Sequence, residues 1–363
     1  MKTKQPIHVL ALIFASYLTG WACGTKDAPG VASNEGAASP SIPKSTPKTR
    51  VLTLGAYTTP REAYGTKIIP AFKAFWKQKT GEDLEIRESY LGSGAQSRAI
   101  AGGFEADIAA LSLEPDIERL VEAGLVNKDW KSGPNKGMVT RSLVVFGVRK
   151  GNPLKVATWD DLAVPGRKVL TPNVKTSGGA MWNIAALYGA AMRGHSEAPS
   201  NNEAGAESLL GLVLANVEIM DKGARESMLT FENGVGDVII TYENEMRVAA
   251  SSGKDNEYVI PPSTILIENP IALVNKYANA HGVTDIATAF VSFVLTPESQ
   301  KQFAKFGLRP VDDSVKEEAL KGYPALKDVF TVRDFGDWAG LTPKLFGPDG
   351  IYDRAMAKAG ASK

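Results

Sequence analysis

Three short stretches carry the residue types that hold an anion. In "KTSGGAMWN", residues 175–183, Ser177, Gly178 and Gly179 stand where an apolar run hands over to a helical pattern. "LGSGAQ" places Gly92, Ser93 and Gly94 at a second such handover, and "KGARES" places Gly223, Ala224 and Arg225 at a third. A helix start has unpaired backbone N–H groups and the positive end of the macrodipole, and glycine lets a ligand approach the main chain closely. Taken singly, each stretch also reads as an ordinary helix cap. Three converging starts, at roughly half a positive charge each, would nearly balance a dianion without any salt bridge.

Other chemistry finds few parts. The histidines are His8, His195 and His281, and none has metal-ligand spacing. Neither G-x-S-x-G nor G-x-x-x-x-G-K-[ST] occurs, so hydrolase and phosphate-loop readings lack their motifs. Glu243 and Glu245 in "TYENEM" could act as an acid/base pair, but at a helix start they read more simply as dipole partners or a solvated face. The expectation is a binding protein with no catalytic residue, no metal and no cofactor. "FKAFWK", residues 72–77, mixes aromatic and basic side chains, and at helical spacing its aromatics belong to a core. With 41 basic residues against 40 acidic ones and a formal net charge of +1, the chain has no electrostatic footprint for nucleic acid.

Alternating strands and helices must position these stretches. Strand-like runs at 51–56, 84–89 and 106–111 alternate with helical patterns at 62–80, 96–102 and 116–123; Gly65 and Pro70 interrupt the first helix, and Gly81 and Gly124 act as stops. That order predicts a mostly parallel sheet with helices on its faces. A second set follows, with strands at 142–148, 168–170, 217–220 and 238–241. Its helical patterns lie at 158–162, after Gly179, at 204–215 and at 224–233. The Pro-interrupted run after Tyr258 reads as a crossing back to the first set. Helices at 285–295 and 297–305 come next, the latter with Thr296 as N-cap and Gly307 as stop. The expected architecture is α/β with two lobes, 51–137 plus 256–305 and 138–255, and C-terminal helices over 306–363 packing on them.

The start of the chain reads differently. "MKTK" precedes an apolar stretch from Ile7 to Ala22, the pattern of a secretory signal, and it ends at Cys23, the single cysteine of the 363 residues. One cysteine forbids an internal disulfide, and at this position it is expected to be the acylated first residue of a lipoprotein. The following Gly-, Ala-, Ser- and Pro-rich residues 24–50 read as a tether. The protein is therefore expected in the periplasm or cell envelope, touching the membrane only through that lipid.

From about Val51 onward the chain resembles the periplasmic sulfate-binding proteins, the solute receptors of sulfate/thiosulfate ABC import systems. The resemblance rests on "GSGAQSRAI", "EADIAALSL", "PNVKTSGGAMWN", "KGARES", "GDVIITYENE", "SFVLTPESQKQFAKFGLRPVD" and "FTVRDFGDWAG". It implies the two-lobed type II periplasmic-binding fold, with a hinge, an anion held in the cleft between the lobes, and an ABC permease as partner. It also implies ligand contacts at Thr58, Ser93, Ser177, Gly178, Gly179, Ala224 and Tyr242, with Arg225 and Asp107 behind them. Thr58 stands where the family often has Asp, Tyr242 where it has Trp, and Met181 where an Arg is common. Sulfate offers only acceptor oxygens, which suits a site made of donors; thiosulfate, then phosphate or molybdate, are the alternative ligands. An enzyme on a sulfated or phosphorylated substrate and a signalling receptor are the alternatives from other classes.

Overall fold

A computed structural model describes residues 49–198 and 201–361. Cys23, the signal-like stretch and nearly all of the tether-like stretch lie outside the described residues. β1 (Arg50–Tyr57) leads into α1 (Arg61–Ala63), a π-helical turn at Tyr64–Ile68 and α2 (Ile69–Thr80). This is one helical run. Pro70 is tolerated because it falls in the first turn of α2, and Gly81 ends that helix at φ +79°, where a side chain would be strained. β2 (Leu84–Leu91), α3 (Ser93–Ala101), β3 (Ile108–Ala110) and α4 (Glu114–Glu122) complete the first set.

The second set comprises β4 (Met138–Val148), β5 (Val169–Leu170), α5 (Gly178–Met192), α6 (Glu203–Ala215), β6 (Val217–Ile219), α7 (Ala224–Glu232), β7 (Val238–Tyr242) and α8 (Glu243–Ser251). Then come β8 (Glu257–Val259), β9 (Ser263–Leu273), α9 (Asn275–His281), α10 (Thr284–Phe293) and α11 (Pro297–Lys305). The Thr296 side chain caps α11 by accepting from Ser299 N, and Gly307 follows at φ +79°. The C-terminal stretch is not helical throughout: β10 (Arg309–Pro310) and β11 (Asp328–Phe330) join α12 (Lys316–Ala319), α13 (Asp337–Phe346) and α14 (Ile351–Ala361).

The strands follow the order β2-β1-β3-β9-β4-β7-β5-β6. β1 pairs in parallel with β2 and β3, and β5 pairs in parallel with β6 and β7. Between these two parallel trios, β9 and β4 run antiparallel to each other, β9 also antiparallel to its neighbour β3 and β4 to its neighbour β7. The sheet is thus mixed rather than mostly parallel. The reason is topological: β4 carries the chain out of the first set and β9 carries it back, so the two run in opposite directions and meet at the centre. β4 spans both neighbours, residues 138–143 pairing with β9 and 144–148 with β7.

Each trio has its own core. Phe72, Trp76, Phe290 and Phe303 gather with Leu52 and Leu54 under β1, α2, α10 and α11. Of the aromatics in "FKAFWK", Phe72 and Trp76 are therefore core; Phe75 lies at the rim, 5.3 Å from Phe293. Around α5, which is buried on nearly every side, Trp159, Trp182, Leu187 and Leu210 pack with Trp338 and Leu341 of α13 and Ala355 of α14. No helix among the described residues is long and apolar enough to cross a membrane.

Candidate anion-binding site

Strand ends and helix starts meet at one point. A Cβ placed on Gly92, just before α3, would lie 2.6 Å from the carbonyl oxygen of Thr176 and 2.8 Å from that of Lys222. Thr176 precedes the start of α5 and Lys222 that of α7, so the three starts touch. Ala95 N also donates to Thr176 O at 3.2 Å. A Cβ on Gly179 would meet Tyr242 Cε2 at 2.8 Å, Ala224 Cβ at 3.3 Å and Ser177 Oγ at 3.3 Å, and one on Gly223 would lie 3.6 Å from Thr58 Oγ1. Thr58, Ser93, Ser177, Gly178, Gly179, Ala224 and Tyr242 are thus brought together by the ends of β1, β2 and β7 and the starts of α3, α5 and α7, and all are buried.

The local reasons are visible in the bonding. Ser177 N is occupied by Asn173 O at 2.9 Å, and the Ser177 side chain caps no amide, which leaves Gly178, Gly179 and Ala180 as first-turn N–H groups with no intrahelical acceptor. α5 is pinned by its own polar side chains: Asn183 donates to Ile240 O at 2.8 Å and Thr171 Oγ1 at 3.0 Å, and Trp182 Nε1 donates to Ser112 O at 3.0 Å. Ser93 Oγ accepts from Ser112 N at 2.8 Å and donates to Asp116 Oδ2 at 2.6 Å, so its hydroxyl is spent inside the protein and its backbone N–H is the free donor. Arg119 bonds the other Asp116 oxygen at 2.8 Å.

A family model for the bacterial extracellular solute-binding proteins matches residues 52–309. A sulfate-binding protein from Synechococcus elongatus is 40% identical over 307 residues, covering 84% of this chain and 86% of the relative. The solved structure of the sulfate-binding protein SubI from Mycobacterium tuberculosis H37Rv superposes with a TM-score of 0.75 at 38% identity, covering 82% of this chain and 99% of that one. A thiosulfate-binding protein from Pseudomonas aeruginosa is 33% identical over 291 residues, 78% of this chain and 86% of the relative. The chain belongs to the bacterial extracellular solute-binding proteins.

Within this solute-binding protein, two expected placements do not hold. Asp107 is not near the helix starts. It is fully buried at the opposite end of the sheet, accepting from Thr53 N at 2.7 Å and paired with His281 Nδ1 at 2.7 Å, because β3 runs parallel to β1 and Asp107 precedes it. His281, held between Asp107 and Glu105, has a raised pKa for that reason. Nor is there the solvated face that Glu243 and Glu245 also allowed: both stand in the first turn of α8, as dipole partners do, but are fully buried. Glu243 takes a bidentate pair from Arg309 at 2.6 and 2.9 Å. Glu245 faces Arg225 at 3.2 Å, and Arg225 reaches on to Glu62 of α1 at 2.9 Å.

Burial pushes the Glu245 carboxyl up to about 7, partly offset by Arg225 and the Thr59 hydroxyl. A carboxyl raised in the fold stabilises the folded state below its unfolded value, near 4.5, and that contribution is lost as pH rises through about 7. Urea unfolding across this window is expected to show stability falling with pH, and Glu245→Gln is expected to flatten that part of the slope; an unchanged slope would show that Glu245 does not titrate there.

Ser112 and Asp116 escaped the sequence reading. Asp116 opens the helical pattern at 116–123 and Ser112 lies within "EADIAALSL", but neither stretch says which of its residues reaches the helix starts. Among the described residues no group of His, Cys, Asp and Glu could hold a metal ion.

Proposed function

We propose that this protein captures sulfate between its two lobes and delivers it to an ABC-type membrane permease, acting as a receptor rather than an enzyme. The observation that carries the reading is the Gly92 contact with both Thr176 O and Lys222 O, which gathers three helix starts around one small volume. The donors would be the backbone N–H groups of Thr58, Ser93, Gly178, Gly179 and Ala224 and the hydroxyls of Ser177 and Tyr242. Arg225 ties the site together from behind through Glu62 and Glu245, while Asp107 takes no part. Burial holds the Tyr242 phenol above its ordinary range, so it remains a protonated donor. A dianion surrounded by N–H and O–H groups gains charge-assisted hydrogen bonds, whereas a nearby free carboxylate would repel it.

Donors contributed from both lobes give binding its coupling to closure, since only the closed arrangement places them on one ion. The lobes are assigned as 51–137 with 256–305, and 138–255. Cys23 is assigned as a lipidated N-terminus that tethers the receptor at the cell envelope, a point that mass spectrometry of the mature N-terminus decides.

Calorimetric titration with sulfate, thiosulfate, phosphate and molybdate tests the ligand. Sulfate is expected to bind with micromolar affinity or better, about −8 kcal/mol. Thiosulfate is the second reading, favoured by the Pseudomonas aeruginosa relative. Saturable heat with another ion and none with sulfate would remove the sulfate assignment.

A further inference from the structure

Building on the anion-binding reading above, we infer that Ser112 is itself a ligand-site residue and that the Ser112–Tyr242 hydroxyl pair lets the site take singly protonated tetrahedral oxoanions as well as fully ionised ones. Ser112 Oγ and Tyr242 Oη lie 2.6 Å apart, both residues are buried, and either hydroxyl can be the donor. Two hydroxyls carry two protons. One lies between them, and among the described residues neither hydroxyl makes a further hydrogen bond that would claim the second.

The pair is placed to use that second proton on a ligand. The rest of Ser112 is fixed, its N–H on Ser93 Oγ at 2.8 Å and its carbonyl accepting from Trp182 at 3.0 Å and Asn269 at 2.9 Å. Its Oγ is 2.8 Å from where a Cβ of Gly178 would stand, and Tyr242 Cε2 is 2.8 Å from the same point on Gly179. The Ser112 hydroxyl therefore lies against Gly178 and the Tyr242 ring against Gly179, both at the start of α5.

With sulfate, Ser112 donates to Tyr242 and Tyr242 donates to a sulfate oxygen. With hydrogen phosphate the relay reverses: the anion's O–H donates to Tyr242 Oη, Tyr242 donates to Ser112 Oγ, and Ser112 donates to another phosphate oxygen. Every proton then has an acceptor. A fixed N–H at the Tyr242 position could only oppose the anion's proton, because an N–H donor has no lone pair to offer. Among the neighbouring carboxylates, both Asp116 oxygens already accept, from Ser93 and Arg119. Glu245 lies 3.2 Å from Arg225 with neither oxygen hydrogen-bonded, so it is the rival acceptor that a Glu245→Gln variant must exclude.

The test is titration of the full protein with sulfate and with inorganic phosphate at about pH 8, where phosphate is chiefly the singly protonated dianion. The wild type is expected to bind phosphate within about a hundredfold of sulfate. Ser112→Ala keeps the Tyr242 donor but removes its acceptor, so sulfate affinity should hold within about threefold while phosphate weakens by roughly tenfold or more. Glu245→Gln should leave the phosphate-to-sulfate ratio unchanged. Wild-type protein that binds sulfate but gives no saturable phosphate binding overturns the inference without touching the sulfate reading. Equal weakening of both ions by Ser112→Ala, or a change in ratio that follows Glu245→Gln instead, also overturns it. Absence of sulfate binding to the wild type removes it together with the reading on which it rests.

Discussion

A Gly179→Val variant is expected to lose sulfate affinity by about a hundredfold or more while its unliganded stability falls by no more than about 3 kcal/mol. The position explains the split. A Cβ here would stand 2.8 Å from Tyr242 Cε2 and 3.3 Å from both Ala224 Cβ and Ser177 Oγ, three of the residues assigned to the ligand. The added methyls would occupy the volume the anion shares with those groups, and would keep it from the amides of Gly178 and Gly179. Losing two charge-assisted hydrogen bonds, each worth roughly 1.5–3 kcal/mol, gives a loss of that size. The fold loses less: valine in a first helical turn is no worse than glycine, and displacing the buried Tyr242 ring, the nearest group, costs about 1–3 kcal/mol. Calorimetry for affinity and urea unfolding for stability read the two effects separately, and a variant that still binds sulfate like the wild type would place the ligand elsewhere.

Arg309→Met is expected to give a comparably large effect of the opposite kind, destabilising the fold by about 3–5 kcal/mol. Arg309 and Glu243 are nearly or fully withdrawn from water, with side-chain exposures of 8% and 0%. The guanidinium makes two hydrogen bonds to the carboxylate, and Tyr323 stacks 4.9 Å away. Methionine fills part of the volume but leaves Glu243 buried with no cation. Adding Glu243→Gln should recover much of the loss, because the stranded charge, rather than the missing contact, is the main cost. If the single variant unfolds at the wild-type urea midpoint, the pair contributes nothing and this account of α8 is wrong. The pair also matters for the site: Glu243 follows Tyr242 directly, so it fixes the turn from which the phenol reaches Ser112.

Much of this was legible in order along the chain. Glycine-softened handovers at Gly92, Ser177 and Gly223 and the Thr296 cap are local features, set by backbone conformation and first-turn hydrogen bonding, and local sequence carries them. The failures share one cause. Asp107 was placed beside the site although β3 sets it away from the helix starts, and Glu243 and Glu245, read as dipole partners or a solvated face, hold only the first role, because they are buried beside Arg309 and Arg225, distant in sequence. A helix start announces that it can bind an anion; it does not say what it will face.

The sequence by itself therefore determined the kind of chemistry, three anion-favouring helix starts on an α/β framework, because propensity, glycine placement and apolar periodicity are short-range. Only the tertiary structure decided that the starts touch one another and that Ser112 bonds Tyr242 beside them. Those depend on β4 and β9 crossing in opposite directions through the centre of the sheet, a long-range pairing that no window of sequence contains.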